Sequence, residues 1–361
     1  MSFEEIQFPT DISYGANGVM KISAIAEDIS SYDFYTPAGE TSKNLTPPVL
    51  VPDTITQFID APPLPTDTVQ NQGLLRIGVA ADGANWNGAA IYRSDDGGEA
   101  GGNTFNVLAG LDGAATFGTI ITNLPDGSFE SWDLVNEVEV ILTSGSLASV
   151  SELAVLNGAN AALIGSELVQ FENAVLIGES TYKLTKLLRG RQGTEWAIVS
   201  HVAGDRFVLI TPVLYATAIA NNLIGRELFY KTVSVGNSLG NTSETSFTYL
   251  GNNLKPFSPV HVSGSRDGSA NLTINWIRRS RVDGEWRDGV GIPLGEESEL
   301  YEVDILNGSN VVRTIEITSP TATYSAADQV VDFGSAQSSI DIEIYQLSAV
   351  VGRGYPAAAT I

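Results

Sequence analysis

The sequence predicts a mainly β protein, with several small sandwich- or barrel-like β domains in series that end in a fibronectin type III-like β-sandwich. Three observations carry that expectation. Glycines (36) and prolines (15) are scattered along the chain, and strand-like runs recur between them with turn signals instead of intervening helices. Helical apolar periodicity is scarce. The final stretch, about 100 residues, is one sandwich's worth of chain and carries Trp276 where a core tryptophan packs between two sheets.

Taken in order, the strand-like runs cover residues 74–80, 138–143, 167–171, 174–177, 206–210, 228–235, 271–278, 300–306, 311–317 and 340–347. Alternation is plainest in Ile340-Asp341-Ile342-Glu343-Ile344, which puts isoleucines on one face and acids on the other, hence one buried and one wet sheet face. In the last block the first two strands are read at 260–263 and 272–276. Tyr301, Ile305, Ile315, Ile317, Tyr324, Ile342, Ile344 and Leu347 supply its inward face. Residues 149–156 (SVSELAVL), closed by Asn157-Gly158, make one or two helical turns.

Two breaks divide the chain. Residues 46–68 carry Pro47, Pro48, Pro52, Pro62, Pro63 and Pro65 and read as an extended crossing or linker, because proline has no place in a central strand. Residues 251–259 (GNNLKPFSP) are the second turn-rich break. The expected organisation is therefore an N-terminal extended joining segment (1–60), a β-rich region (61–252) and a fibronectin type III-like domain (253–361).

Composition excludes several function classes. Lysine and arginine total 19 against 42 aspartates and glutamates, a net charge of −23 that repels any partner held through phosphates, so direct nucleic-acid binding is not expected. Charged residues are only 17% of the chain, against a typical ~25%, so the acidity comes from scarce bases, not acidic tails. Without cysteine there are no disulfides, thiolate metal sites or cysteine nucleophiles, and His201 and His261 alone do not make a histidine-rich zinc site. Glu4 and Glu5 stand where an export signal would be basic and then apolar, and the longest apolar stretch, 207–220, is broken by Thr211 and Pro212, so neither export nor a membrane span is expected.

The motifs that hint at chemistry mostly dissolve into turns. Gly236-Asn237-Ser238-Leu239-Gly240 fits the hydrolase elbow G-x-S-x-G, but the polar run after it lacks helical spacing. Gly352-Arg353-Gly354-Tyr355-Pro356-Ala357 fits G-x-G-x-x-A with too little chain behind it for a phosphate-binding helix. Asp95-Asp96-Gly97-Gly98-Glu99 lacks calcium-loop spacing and reads as a hairpin tip. Glu167, Glu172 and Glu179, or Glu296 with Glu297, offer carboxylates for glycoside hydrolysis, yet nothing fixes their separation. His201 reads as a loop brace acting through a backbone hydrogen bond. No catalytic residue, metal ligand or cofactor is assigned. Trp86, Trp286 and Tyr355, in turn-like positions, are the candidate surface contacts, able to stack on sugars or pack a subunit contact.

Residues 167–209 (ELVQFENAVLIGESTYKLTKLLRGRQGTEWAIVSHVAGDRFVL) closely resemble a signature of phage tail-tip proteins of the gene transfer agent type. In that signature "LLRGxxGTE", a downstream histidine and "AGxRFVLL" follow a strand pair. The matching residues are Leu187, Leu188, Arg189, Gly190, Gly193, Thr194, Glu195, His201, Gly204 and Phe207. Residues 86–98 (WNGAAIYRSDDGG), 147–160 (LASVSELAVLNGAN) and 276–297 resemble further blocks of the family, and residues 1–60 resemble it more weakly.

The resemblance implies a virion protein at the distal end of a phage tail, the C-terminal part of a baseplate hub or host-specificity protein, assembled in the host bacterial cytoplasm. It implies other tail and baseplate proteins as partners, a homo-oligomer, trimeric by the symmetry of tail tubes, and a possible host envelope receptor or glycan. The glycoside-hydrolase-like barrel of longer relatives has no counterpart in this sequence, so cell-wall hydrolysis is not carried over and no enzyme is expected. The alternative reading is a carbohydrate-binding adhesin that uses Trp86, Trp286 or Tyr355 as platforms.

Overall fold

A computed structural model describes residues 7–14, 20–26, 51–67, 71–81, 83, 85–198, 201–284 and 291–361. The chain divides into two units, Met1–Leu50 and Val51–Ile361. In the first, β1 (Gln7–Tyr14) and β2 (Met20–Ala26) pair antiparallel, with a register shift between Pro9 and Asp11, beside the one residue that has no N–H to donate. Within the first unit, the described part of the expected extended segment is thus an antiparallel strand pair.

The second unit begins with β3 (Ile55–Ile59), which pairs with β4 (Gly73–Ala80). A strand therefore lies inside the stretch expected as a linker: Pro52 and Pro62 bracket it, and none of its own residues lacks an N–H. Next, β5 (Ala89–Ser94) and β6 (Asn106–Leu111) form a hairpin whose tip is Asp95 to Glu99.

The chain then leaves for a six-stranded barrel. Its elements are β7 (Phe117–Ile120), β8 (Val138–Ser144), α1 (Glu152–Leu156), β9 (Ala161–Ile164), β10 (Glu167–Gly178), β11 (Thr181–Leu188) and β12 (Arg206–Leu209). The strands close in the order β10-β11-β8-β7-β12-β9 around Ile120, Val138, Val140, Ile164, Val169, Phe171, Leu184 and Phe207. Closure leaves no free sheet edge. The two runs read at 167–171 and 174–177 are one strand, because Asn173 stays in the ladder opposite Thr185. The short helix has its expected place: the Ser151 hydroxyl accepts from the Ala154 N–H, and the helix stops at Asn157.

After the barrel, β13 (Tyr215–Ile219), β14 (Glu227–Ser234) and β15 (Thr245–Thr248) return to the first strands. They complete a three-stranded sheet, β13-β4-β3, and a four-stranded sheet, β15-β14-β5-β6. Leu75, Ile77, Ile91 and Leu228 pack between the two sheets, with Phe58 4.5 Å from Tyr230 and 5.3 Å from Phe247. The region expected as 61–252 is thus a sandwich with a barrel inserted between β6 and β13. Ile59, Leu64, Phe117, Leu163 and Leu168 form a separate core where the two meet.

The last domain comprises β16 (Val260–Arg266), β17 (Leu272–Ile277), β18 (Tyr301–Asn307), β19 (Asn310–Ile317), β20 (Thr321–Tyr324), α2 (Ala326–Phe333), β21 (Asp341–Ser348), β22 (Gly352–Arg353) and β23 (Ala357–Thr360). One sheet runs β16-β17-β20. The other runs β19-β18-β21, with β23 on the far side of β21. That is the fibronectin type III strand order. Trp276 is buried against the edge of Tyr301, with ring centroids 5.2 Å apart. Two expectations fail locally. Leu347 is off the inward face, because the period of two from Ile342 and Ile344 reaches Gln346 and Ser348, both buried. The helix α2 was not foreseen, although Ser325 caps it through the Asp328 N–H and Gly334 (φ 82°) ends it.

Trp276→Ala is expected to lower the stability of the chain by about 3–5 kcal/mol, as loss of a buried aromatic does. Denaturant unfolding measures it, and a loss below about 1 kcal/mol would remove Trp276 from the core.

Candidate functional site: a buried carboxylate and a domain junction

The two-residue turn Gly165-Ser166 joins β9 to β10 and sets Glu167 at the start of β10, with a carboxylate fully closed to solvent. The chain leaving β11 passes beside it. Arg189 Nε and Nη2 each donate to Glu167 at 2.8 Å, and the Gly190 N–H donates to the same carboxylate at 2.8 Å. His201 Nε2 lies 2.8 Å from Glu167 Oε2, and its Nδ1 lies 3.2 Å from Asp205 Oδ2. Arg189 Nη1 donates to the Pro125 carbonyl at 3.0 Å and faces Asp133 at 3.4 Å. Asp133 in turn accepts from the Val135 and Asn136 N–H groups, which ties down the loop between β7 and β8.

Burial pushes the Glu167 carboxyl up, but the hydrogen bonds from His201, Arg189 and Gly190 outweigh it and hold the group below the ordinary carboxylate range. Asp133 behaves likewise: burial raises it, while Asn136, Val135 and Arg189 bring it below its ordinary value. Glu167 thus receives four hydrogen bonds, and its partners are themselves occupied. Its chemistry is that of a clamp joining four chain segments, with no nucleophile hydrogen-bonded to His201 among the described residues.

The signature residues all find places around that clamp. Gly190 (φ 58°) turns the chain where a Cβ would meet Ile198 and Glu195. Thr194 Oγ1 accepts from the Leu168 N–H at 3.0 Å and donates to the Arg191 carbonyl at 2.8 Å. Leu187 and Phe207 are buried in the barrel core, Leu188 is buried at the end of β11, and Gly204 (φ 101°) makes the turn before β12. His201 does brace a loop, but its ring bonds carboxylates; its backbone pairs separately with Leu124.

The loop held in this way meets the last domain. At Gly193 a Cβ would lie 2.3 Å from the Phe257 ring, so glycine is what lets the two pack. Glu195 receives both ends of the Arg279 guanidinium, at 2.7 and 3.1 Å. Trp196 stacks on Tyr355, with centroids 4.8 Å apart and planes at 20°. Two clefts open along this junction, of about 450 and 690 Å³, and the exposed rings of Phe129 and Trp196 stand at the larger one. His261 lines both clefts with φ 54°, a conformation a histidine adopts at a cost.

Of the surface contacts expected from sequence only Tyr355 falls here, and it is covered. Trp86 is half-buried, packs on the sandwich core and donates its indole N–H to Thr54 at 2.8 Å. Tyr355 is buried beneath Trp196. Trp286 lies outside the described residues. Phe129 and Trp196 were missed because exposure, unlike residue type, has no local signal when the neighbouring chain comes from another domain. Among the described residues no group of acids and histidines could hold a metal ion, and no helix is long and apolar enough to cross a membrane.

Residues 115–208 match the model of a family described as "Rcc01698-like, C-terminal", a stretch that coincides with the barrel. No curated protein matches the chain. Among solved structures, the rat CD45 extracellular region, domains d3–d4, is similar at 12% identity and a TM-score of 0.23, covering 42% of this chain and 71% of that one. The chicken CNTN1 FN1–FN3 domains are similar at 9% identity and a TM-score of 0.22, covering 81% of this chain and 95% of that one. The fibronectin type III assignment rests on strand order and packing.

Glu167→Gln keeps the shape but leaves Arg189 as a poorly compensated buried charge, and is expected to cost about 3–5 kcal/mol in denaturant unfolding. The unfolded glutamate titrates near 4.3 and the folded one lower, so the clamp stabilises fully above that value and its contribution is lost as pH falls through the folded pKa. Unfolding midpoints measured between about pH 6 and 3 are therefore expected to drop less steeply in Glu167→Gln than in the native chain.

Proposed function

We propose that this protein is a structural component of a bacteriophage tail tip or baseplate, homo-oligomeric and trimeric, which holds adjacent tail proteins and contributes to recognition of the host surface. The observation that carries the reading is the use of the signature residues. From Leu188 to Phe207 they build a buried clamp and, through Gly193 and Glu195, fix the barrel to the last domain. Residues spent on joining modules suit a part that transmits force and presents surfaces.

Two features add support. Val175, Leu176 and Ile177 lie exposed at the outer end of the β10–β11 hairpin, and Leu134 and Val135 on the loop fixed by Asp133, the kind of apolar surface that contacts a neighbour. The closed hydrogen bonding of Glu167 and His201 suits a non-catalytic role. The adhesin alternative is weakened at its platforms, because Trp86 is half-buried against the sandwich core and Tyr355 is buried beneath Trp196.

Electron microscopy of phage particles labelled with an antibody against this chain is expected to place label at the distal end of the tail. Absence from the virion overturns the reading. Sedimentation of the purified protein is expected to give a trimer, alone or with neighbouring tail proteins; a monomer under both conditions overturns the assembly part.

A further inference from the structure

We propose that the seam between β16 and β23 is a docking groove for an extended, basic peptide segment of a neighbouring protein, which adds a short strand to the free edge of β23 at Ala358. This deepens the assembly reading and rests on it only for placing the segment in a tail neighbour.

The edge follows from the register. Ile340 and Ile361 exchange both hydrogen bonds, at 2.7 and 2.9 Å. Antiparallel alternation then turns the N–H and C=O of Ala357 and Ala359 toward β21, and those of Ala358 and Thr360 away from it. Among the described residues no strand pairs with β23 on that outer side. An unpaired edge of this kind is a template for another strand.

The groove is open only where a peptide needs it. At one end β16 and β23 close up: a Cβ on Gly264 would lie 3.1 Å from the Ile361 side chain. At the other end β16 shifts register between Val260 and Ser263, with His261 at φ 54°, and such a bulge bends a strand away from its neighbour. The cleft of about 690 Å³ lies there, between residues 259–262 and 357–359. Its β23 wall is alanine, which leaves room for bulky side chains from the added strand, and Phe129 (53% exposed) and Trp196 (42% exposed) stand ready to cover them. One face of Trp196 is already covered by Tyr355, which favours an apolar side chain packing at its edge over a sugar ring between two platforms.

Charge selects a basic segment. Glu130 lines the cleft without an ion pair among the described residues, Glu195 beside it is shared with Arg279, and the chain carries −23.

The test uses the full chain and a fluorescent synthetic peptide of alternating valine and lysine, at physiological salt, read by anisotropy. The same peptide N-methylated at every residue keeps charge and side chains but has no N–H to offer from either edge and so cannot pair with a strand edge. Saturable binding is expected, about tenfold weaker for the methylated peptide and for Ala358→Pro, which removes the outward N–H, and weaker also for Phe129→Ala, whose exposed ring leaves the fold intact. Equal binding of both peptides, no saturable binding, or full binding by Ala358→Pro with an unchanged melt overturns the proposal. So does saturable binding of dextran with no peptide binding, which would make the cleft a glycan site. The methylated peptide keeps the test decisive if Ala358→Pro fails to fold. None of these outcomes depends on where the protein sits in a virion, so this proposal and the tail-tip reading fail separately.

Discussion

The paired charges of Glu167 and Arg189 are the constraint on which the rest of the second unit depends. Both side chains are withdrawn from water, and a buried ion pair is not in itself a source of stability, since desolvation offsets the attraction. What it contributes is uniqueness. A carboxylate with four hydrogen-bond partners admits one arrangement of the β9–β10 turn, the β11 exit, the 201–205 turn and the loop carrying Asp133. Any other arrangement strands a charge in a medium that cannot solvate it.

From that clamp the geometry passes outward. The loop from Gly190 to Ile198 buries Ala197 and Ile198 and delivers Glu195 and Trp196 to another domain at hydrogen-bond and stacking distance. Its first residue is anchored through the Gly190 N–H on Glu167, and its middle through Thr194 on the β10 backbone. Gly193 then yields its side-chain space to Phe257. The junction clefts are lined by residues of this loop on one side and of the last domain on the other.

Much of the architecture was legible from residue pattern. The alternation at 340–344, the turn residues around each run and the position of Trp276 pointed to the last sandwich, and Ser151 with Asn157-Gly158 marked the short helix. The failures have local causes. β3 was hidden because prolines flank it, and β10 was split because Glu172 and Asn173 are polar where the strand reaches the barrel's outer surface. Leu347 was placed inward because its type outweighed the parity of its position. At the site, Arg189, His201 and Glu195 were singled out by the signature, whereas Asp133 and Arg279 come from distant segments and bear no sequence mark of their partners.

The sequence by itself determined the class of the protein: strand periods of two and turns at glycine and proline give a β-rich chain, and composition adds that it holds no cysteine and carries a net charge of −23. Tertiary structure alone decided that a barrel is inserted into a sandwich, that Glu167 is the centre of the signature, and that Trp196 is exposed while Tyr355 is buried. These are facts about pairs of residues far apart in the chain. Period and propensity describe how a segment presents its own faces, but the partner of a buried charge or an aromatic ring is chosen by how whole domains close upon one another.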